Sequence, residues 1–168
     1  MNNVYFLNSI RFIGLLLLQV LVLNKLNLFG TINPMVYIVW VFLFPYKKNL
    51  NSILLLSFLL GLAVDFFSDS GGINASATLF IAFIRLPILK LVLGKSDFDY
   101  PLFNLRNISF GKSLLFLSTL TIIHHFIVFM LAYFSFSAIY LIITSTIFTS
   151  IATIILSVLG IIIFTNKK

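Results

Sequence analysis

The sequence predicts an all-α integral membrane protein, a single domain built as a bundle of about six transmembrane helices. Three observations predict this class: 61% of the 168 residues are hydrophobic, only 9% are charged, and the apolar residues fall in long continuous runs. A soluble domain carries about 25% charged residues, because its surface faces water. Lipid is therefore the expected solvent for most of this surface. β-strands are not predicted, since the apolar runs lack a period of two.

Six segments approach the roughly 20 mostly apolar residues that a transmembrane helix needs. The predicted helices span residues 4–23, 32–46, 50–67, 73–93, 114–134 and 138–164. The first is expected to stay as an anchor, because no small-residue cleavage site follows it. The second is short for a full crossing and starts after Asn33-Pro34, where proline suits a first helical turn. The sixth is long enough to tilt.

The basic residues predict the orientation of the bundle. They fall in the connection after the second helix, in the connection after the fourth helix and at the C-terminus: Lys47, Lys48, Lys95, Arg106, Lys112, Lys167 and Lys168. Six crossings place all three regions on one side of the membrane, and cytoplasmic loops are enriched in Lys and Arg. We therefore expect a multi-pass protein of the cell inner membrane with both termini in the cytoplasm.

Charge and cysteine content limit the expected partners and cofactors. The net charge of +7 comes from basic residues that stand singly or in pairs, which suits membrane topology better than nucleic acid. The lipid bilayer is thus an expected partner and nucleic acid is not. The lack of cysteine excludes disulfides and thiolate-held metal sites, and no cofactor is predicted. Residues 94–113 mix aromatic and charged side chains, which indicates a segment at the lipid headgroups or a docking surface for a cytoplasmic partner.

Small and polar residues recur at every fourth position of the third helix. Ser57, Gly61 and Asp65 share one face, and small residues let helices approach closely in lipid. Asp65 lies at the outer end of this face, four residues before Asp69. The two carboxylates could bind a cation or form an acid/base pair. The absence of a His, Glu or further Asp nearby in sequence favours the alternative, in which Asp65 caps or braces the outer turn.

The fourth helix carries Arg85 on the face that also holds Ala75 and Ala82. This predicts a guanidinium directed toward protein, since exposing it to hydrocarbon costs at least about 2.5–3.5 kcal/mol. Two roles stay open: snorkelling to the cytoplasmic interface, or a structural hydrogen bond, for example to a carbonyl freed by Pro87. A direct pair with Asp65 is not expected, because the two residues differ by roughly 10 Å in depth.

His124 and His125 stand near the middle of the fifth helix. His125 shares a face with Thr121 and is expected to look into the bundle. Adjacent side chains point about 100° apart, so the two imidazoles cannot chelate one metal without outside ligands. A proton relay or metal site is one interpretation; hydrogen bonding to Ser or Thr of a neighbouring helix is favoured. No nucleophile elbow, phosphate loop or metal-binding helix occurs, so neither catalysis nor catalytic residues are predicted.

A pattern across the third and fourth helices resembles a known family. Residues 61–68 read GLAVDFFS and residues 72–75 read GINA. This order of glycine–apolar–aspartate and then glycine–apolar–asparagine–alanine resembles the most recognisable stretch of the rod shape-determining MreD family. Residues 28–34 (LFGTINP), 82–87 (AFIRLP) and 123–126 (IHHF) look like its short members of the Bacteroidetes type.

The resemblance implies a non-enzymatic membrane subunit of the cell-elongation machinery. Such subunits work with MreC, with MreB filaments and with the RodA–penicillin-binding-protein synthase that builds lateral peptidoglycan. Asp65, Gly72, Asn74 and Arg85 match the family pattern, with an undefined role. The family is also similar in helix arrangement to the substrate-binding components of energy-coupling-factor vitamin transporters, which supplies the alternative function. A transporter should enclose a pocket with convergent polar groups near the outer half of the bundle.

Overall fold

A computed structural model describes residues 2–28, 30–45, 50–94 and 109–164. Six α-helices lie in these ranges: α1 Asn2–Leu21, α2 Val39–Leu43, α3 Leu50–Ser68, α4 Ile73–Leu93, α5 Phe110–Tyr133 and α6 Ile139–Phe164. All except α2 belong to segments long and apolar enough to cross a membrane, which makes five such helices among the described residues. The prediction of an all-α, multi-pass membrane protein is confirmed at this level.

Most helix boundaries lie close to the predicted ones. The bounds of α4 are those predicted, because left-handed glycines flank the helix: Gly72 has φ +92° and Gly94 has φ +66°, and glycine adopts that region at little cost. By contrast, α5 begins at Phe110 rather than at residue 114. Hydropathy reports the depth of a residue in lipid, whereas helical hydrogen bonding continues into the polar residues at the membrane edge.

The second predicted helix is much shorter than its predicted range of 32–46. A 3-10 turn at Val36–Ile38 leads directly into α2, and Phe44 is already extended, with ψ 138°. Pro45 explains this end, because the residue before a proline is pushed out of the helical region. At the start, Pro34 and Met35 do not form a helical turn, because their backbone groups bind side chains of other helices, Gln19 and Thr153.

The ends of α1 and α3 show how the chain runs through the bundle. Nδ2 of Asn24, just beyond α1, donates to Oγ of Ser68 at the end of α3, over 2.8 Å. The two helices therefore run in the same direction, and the chain must return along the bundle before α3 begins. We call the end with the α3–α4 turn (residues 69–72) the distal end, the opposite end the proximal end, and residues 34–44 the return segment.

The return segment forms the centre of the core. Tyr37, Ile38, Val41 and Phe42 are completely buried, and most of the other residues of the segment are nearly so. A segment that is apolar all round suits this position, because every side of it meets protein. Around it, α4 packs between α3 and α5, and α6 packs on α5.

Several residues used for the topology prediction lie outside the described residues. They are Lys47, Lys48, Lys95, Arg106, Lys167 and Lys168, together with most of the connection predicted at 94–113. Of the remaining basic residues, Lys112 is exposed in the first turn of α5, and Lys25 is exposed at the distal end. The orientation relative to the cytoplasm therefore stays a prediction.

Candidate functional site

Asp65 joins the end of α3 to the beginning of α4. Its Oδ1 accepts hydrogen bonds from Oγ of Ser70 (2.5 Å) and from the backbone N (2.9 Å) and Nδ2 (3.0 Å) of Asn74, and its Oδ2 accepts from the backbone N of Ala75 (2.7 Å). The two backbone donors belong to the first turn of α4, where helical N–H groups lack partners. A carboxylate at this place also interacts favourably with the helix dipole. Asp65 thus serves as the N-terminal cap that Gly72, which has no side chain, cannot provide.

The environment of Asp65 bears on the less favoured interpretation, in which Asp65 and Asp69 bind a cation or form an acid/base pair. Asp69 lies beyond the end of α3 with φ +51° and is exposed, so it does not share the face of Asp65. The buried carboxylate of Asp65 is instead engaged by four donors. Within the described residues, no group of three or more His, Cys, Asp or Glu side chains could hold a metal ion. These contacts correspond to the capping alternative.

Gly61 lies at a close approach of α3 and α4. A Cβ atom added at Gly61 would stand 2.6 Å from Cα of Ala75, 2.6 Å from the carbonyl oxygen of Asn74 and 2.7 Å from the nitrogen of Ala75. Real Cβ atoms do not approach backbone this closely, so glycine is required for this contact. The approach also brings Asp65, one turn further along the same face, within reach of the first turn of α4.

Tyr37 of the return segment continues the network that begins at Asp65. Both protons of the Asn74 amide are donated away from Tyr37, to Asp65 and to Ser70. The amide oxygen of Asn74 therefore faces Tyr37 and accepts its hydroxyl proton over 3.0 Å. Since a phenol has one proton, the hydroxyl of Tyr37 can only accept from its other neighbours.

This arrangement determines the tautomer of His124. Its Nε2 lies 3.0 Å from the hydroxyl of Tyr37, so Nε2 carries the proton and donates it. The second nitrogen, Nδ1, is then unprotonated, and it has no hydrogen-bond partner among the described residues. Thr78 also lies against this group but donates its own proton to the carbonyl of Asn74 over 2.6 Å. His124, Tyr37, Asn74 and Asp65 form one directional chain of donors that ends on a carboxylate.

His125 has the opposite tautomer and a different partner. Its Nδ1 donates to the carbonyl of Thr121 over 2.8 Å, and its Nε2 accepts from Oγ1 of Thr153 on α6 over 3.1 Å. Thr153 in turn accepts from the backbone N of Met35 over 3.0 Å. His125 is therefore buried in the bundle and bonded to a hydroxyl of a neighbouring helix, and it positions the hydroxyl that holds the return segment.

Gln19 and Arg85 bind further backbone N–H and C=O groups of the return segment. Gln19 donates from Nε2 to the carbonyl of Pro34 (3.0 Å) and accepts from the backbone N of Tyr37 (3.4 Å). Near the proximal end, the guanidinium of Arg85 donates to the carbonyls of Phe42 (3.1 Å) and Phe44, where α2 has ended. Arg85 is only 3% exposed, so its role is a structural hydrogen bond rather than snorkelling.

These contacts give one explanation for several of the buried polar side chains in an otherwise apolar bundle. Non-helical backbone at membrane depth is tolerated only where protein satisfies its polar groups. Side chains from α1, α4 and α6 bond the backbone of the return segment directly. From α5, His125 bonds the hydroxyl of Thr153 and His124 bonds the hydroxyl of Tyr37 in the return segment. Sequence analysis did not single out Gln19 or Tyr37. The signal that could have found them is a predicted crossing too short to be a regular helix, which needs polar partners elsewhere.

A cavity of about 440 Å³ opens beside this network at the distal end. It lies between the ends of α1, α3 and α5, the start of α4 and the return segment. The polar side chains that line it include Gln19, Asn24, Lys25, Asn33, Ser68 and Asn74.

A second concave surface is apolar. It is a groove of about 290 Å³ between the end of α5 and the start of α6, and its lining includes Phe126, Met130, Phe134, Phe136 and Ile142.

No protein-family model, curated protein or solved structure matches this chain.

Proposed function

We propose that this chain is a non-enzymatic scaffold subunit of the bacterial cell-elongation complex, a relative of MreD that holds MreC and the RodA–penicillin-binding-protein synthase together. The observation that carries the proposal is the α3–α4 junction. Gly61 and three of the residues that match the MreD-like pattern, Asp65, Gly72 and Asn74, lie there in one packed and capped turn. A pattern whose members bond one another supports an architectural role rather than a reaction.

The apolar groove between α5 and α6 gives further support. A scaffold in lipid needs a surface on which a partner's transmembrane segment packs, since packing drives helix association there. The groove lies beside the turn between α5 and α6. Phe134 and Phe136, at its rim, are more than 85% exposed. Its walls are almost wholly apolar, which suits a transmembrane helix of MreC better than a polar solute.

Met130→Trp tests the groove, because an indole would fill it from one wall. We expect the recovery of MreC with the tagged protein from gently solubilised membranes to fall about fivefold or more, as for a contact at the centre of an interface. Phe83→Trp is the control, because Phe83 is exposed on α4 and does not line the groove. Full recovery with both variants, or co-purification of transporter ATPase subunits instead of MreC, would argue against the scaffold.

We also propose six membrane crossings, with the return segment as the second crossing and both termini in the cytoplasm. The parallel directions of α1 and α3 support this count, because the chain between them must return. The chain lacks cysteine, so single cysteines can be placed at exposed positions. Leu26→Cys and Ser137→Cys should react with an impermeant thiol reagent added outside intact cells, and Asn51→Cys and Lys112→Cys only after permeabilisation. Labelling of Leu26→Cys and Asn51→Cys from the same side would contradict the proposal that the return segment crosses the membrane.

The cavity at the distal end favours a second candidate, the substrate-binding component of a small-molecule transporter. Ligand sites are commonly concave spaces of about 300–1,000 Å³ with an apolar lining and a few converging polar groups. The cavity of about 440 Å³ has a volume in this range, and both apolar and polar side chains line it. The two candidates differ in their partners: MreC and the wall synthase for the scaffold, an ATPase module for the transporter.

A further inference from the structure

The polar rim of the distal cavity carries hydrogen-bond donors that have no partner within the described residues. Asn24 donates one of its two amide protons to Ser68, which leaves the second available. Oδ1 of Asn33 accepts from the backbone N of Asn27 over 3.1 Å. The Nδ2 group of Asn33 therefore remains for other partners. Neither that nitrogen nor the ammonium of Lys25 has a hydrogen bond within the described part of the chain. Unused hydrogen-bond donors beside a cation suit a negatively charged hydrogen-bond acceptor.

The buried carboxylate of Asp65 does not cancel the preference of the cavity for a negatively charged ligand. Asp65 lies behind Asn74 and Ser70, and its two oxygens receive four hydrogen bonds from the start of α4 and from these side chains. Asp65 does not line the cavity, and neither does Asp69. Lys25 is the only ionised side chain of the lining within the described residues.

Apolar side chains also line the cavity, and its volume limits the size of the ligand. These apolar lining residues come from α3 (Val64 and Phe67), α4 (Ile73) and α5 (Val128 and Ala132). A cavity of about 150 Å³ holds one benzene molecule, so about 440 Å³ has room for a body of two rings and a polar group.

We propose that the distal cavity is a binding site for an organic anion with an apolar body, whose negative group lies against Lys25, Asn24 and Asn33. The site does not depend on the scaffold function, because its lining shares no residue with the α5–α6 groove. For the transporter candidate, it names the class of solute. The anion comes either from a soluble molecule or from the headgroup of an anionic lipid. Both present the same chemistry to the rim.

The test uses 2-naphthoate as the anionic probe and 2-naphthylmethanol as its neutral match. The full-length protein is held in nanodiscs of phosphatidylcholine, and binding is read from the thermal unfolding midpoint against probe concentration, because a ligand of the folded state raises that midpoint. We expect naphthoate to bind more tightly than the alcohol. Lys25→Ala should weaken naphthoate binding about fivefold, as the loss of a partly exposed charge contact does, and should leave the alcohol unaffected.

Two further variants separate the cavity from the rest of the surface. Ala132→Trp places an indole in the cavity from an exposed position and should abolish the binding of both probes. Lys112→Ala removes an exposed charge at the proximal end and should change neither. Equal binding of the two probes, or unchanged naphthoate binding in both Lys25→Ala and Ala132→Trp, would overturn the proposal. MreC recovery with the same variants reports on the scaffold separately.

Nanodiscs that contain phosphatidylglycerol identify the source of the anion. Competition between this lipid and naphthoate, lost in Lys25→Ala, would support the site and assign its anion to a lipid headgroup. Naphthoate binding that is unaffected by phosphatidylglycerol would support the site for a soluble anion.

Discussion

Gly61→Leu should abolish the folded protein. Even a single Cβ atom at this position would stand 2.6 Å from the backbone of Ala75 and of Asn74. Backbone cannot rotate away as a flexible side chain does, so α3 and α4 must separate. The separation would withdraw Asp65 from the first turn of α4 and break the cap. Overpacking typically costs about 1–3 kcal/mol, and Gly61→Leu should exceed the upper figure because it also disrupts these hydrogen bonds.

The measurement is fluorescence-detected gel filtration in mild detergent. We expect aggregation or loss of the monodisperse peak for Gly61→Leu and a lowered thermal midpoint for Gly61→Ala. Gly14→Leu is the matched control, because a Cβ at Gly14 in α1 meets nothing within 4 Å. Normal elution and stability of Gly61→Leu would mean that α3 and α4 are not in contact at this face.

Asp65→Asn should destabilise the protein by about 2–3 kcal/mol, as expected when buried donors lose a charged acceptor. Asparagine keeps one oxygen but replaces the other with an NH2 group. That group would face an N–H donor, either of Ala75 or of Asn74, and both contacts are buried. The helix dipole of α4 would also lose its favourable charge. A lowered thermal midpoint in detergent measures the effect.

Asp69→Asn is the control for this substitution. Asp69 is exposed and has φ +51°, a conformation that asparagine adopts more readily than most residues. The thermal midpoint of the Asp69→Asn variant should therefore not change. In cells depleted of the native protein, the scaffold proposal expects Asp65→Asn to widen the cells and to reduce MreC recovery partially. Normal cell shape and MreC recovery with lost solute uptake would instead identify the transporter.

The sequence determined the class of the protein and the positions of its long helices. A helix in lipid satisfies its own backbone hydrogen bonds, so a run of apolar residues of sufficient length is enough to predict it. The close α3–α4 contact could also be predicted from the sequence, since Ser57, Gly61 and Asp65 repeat at helical spacing. All three are buried in the structure. Such inferences need only neighbours along the chain.

The tertiary structure alone decided the form of the return segment and the hydrogen-bond partners of the polar residues. The return segment was predicted as a helix over 32–46, whereas α2 has five residues, because Pro45 ends it and side chains of other helices compete for its backbone groups. Those partners are remote in sequence: Met35 and Thr153 are 118 positions apart, and Tyr37 and His124 are 87 apart. Periodicity within one helix reports which face is buried but not which group it meets, so only the assembled bundle reveals that Arg85, His125 and Gln19 serve one irregular segment.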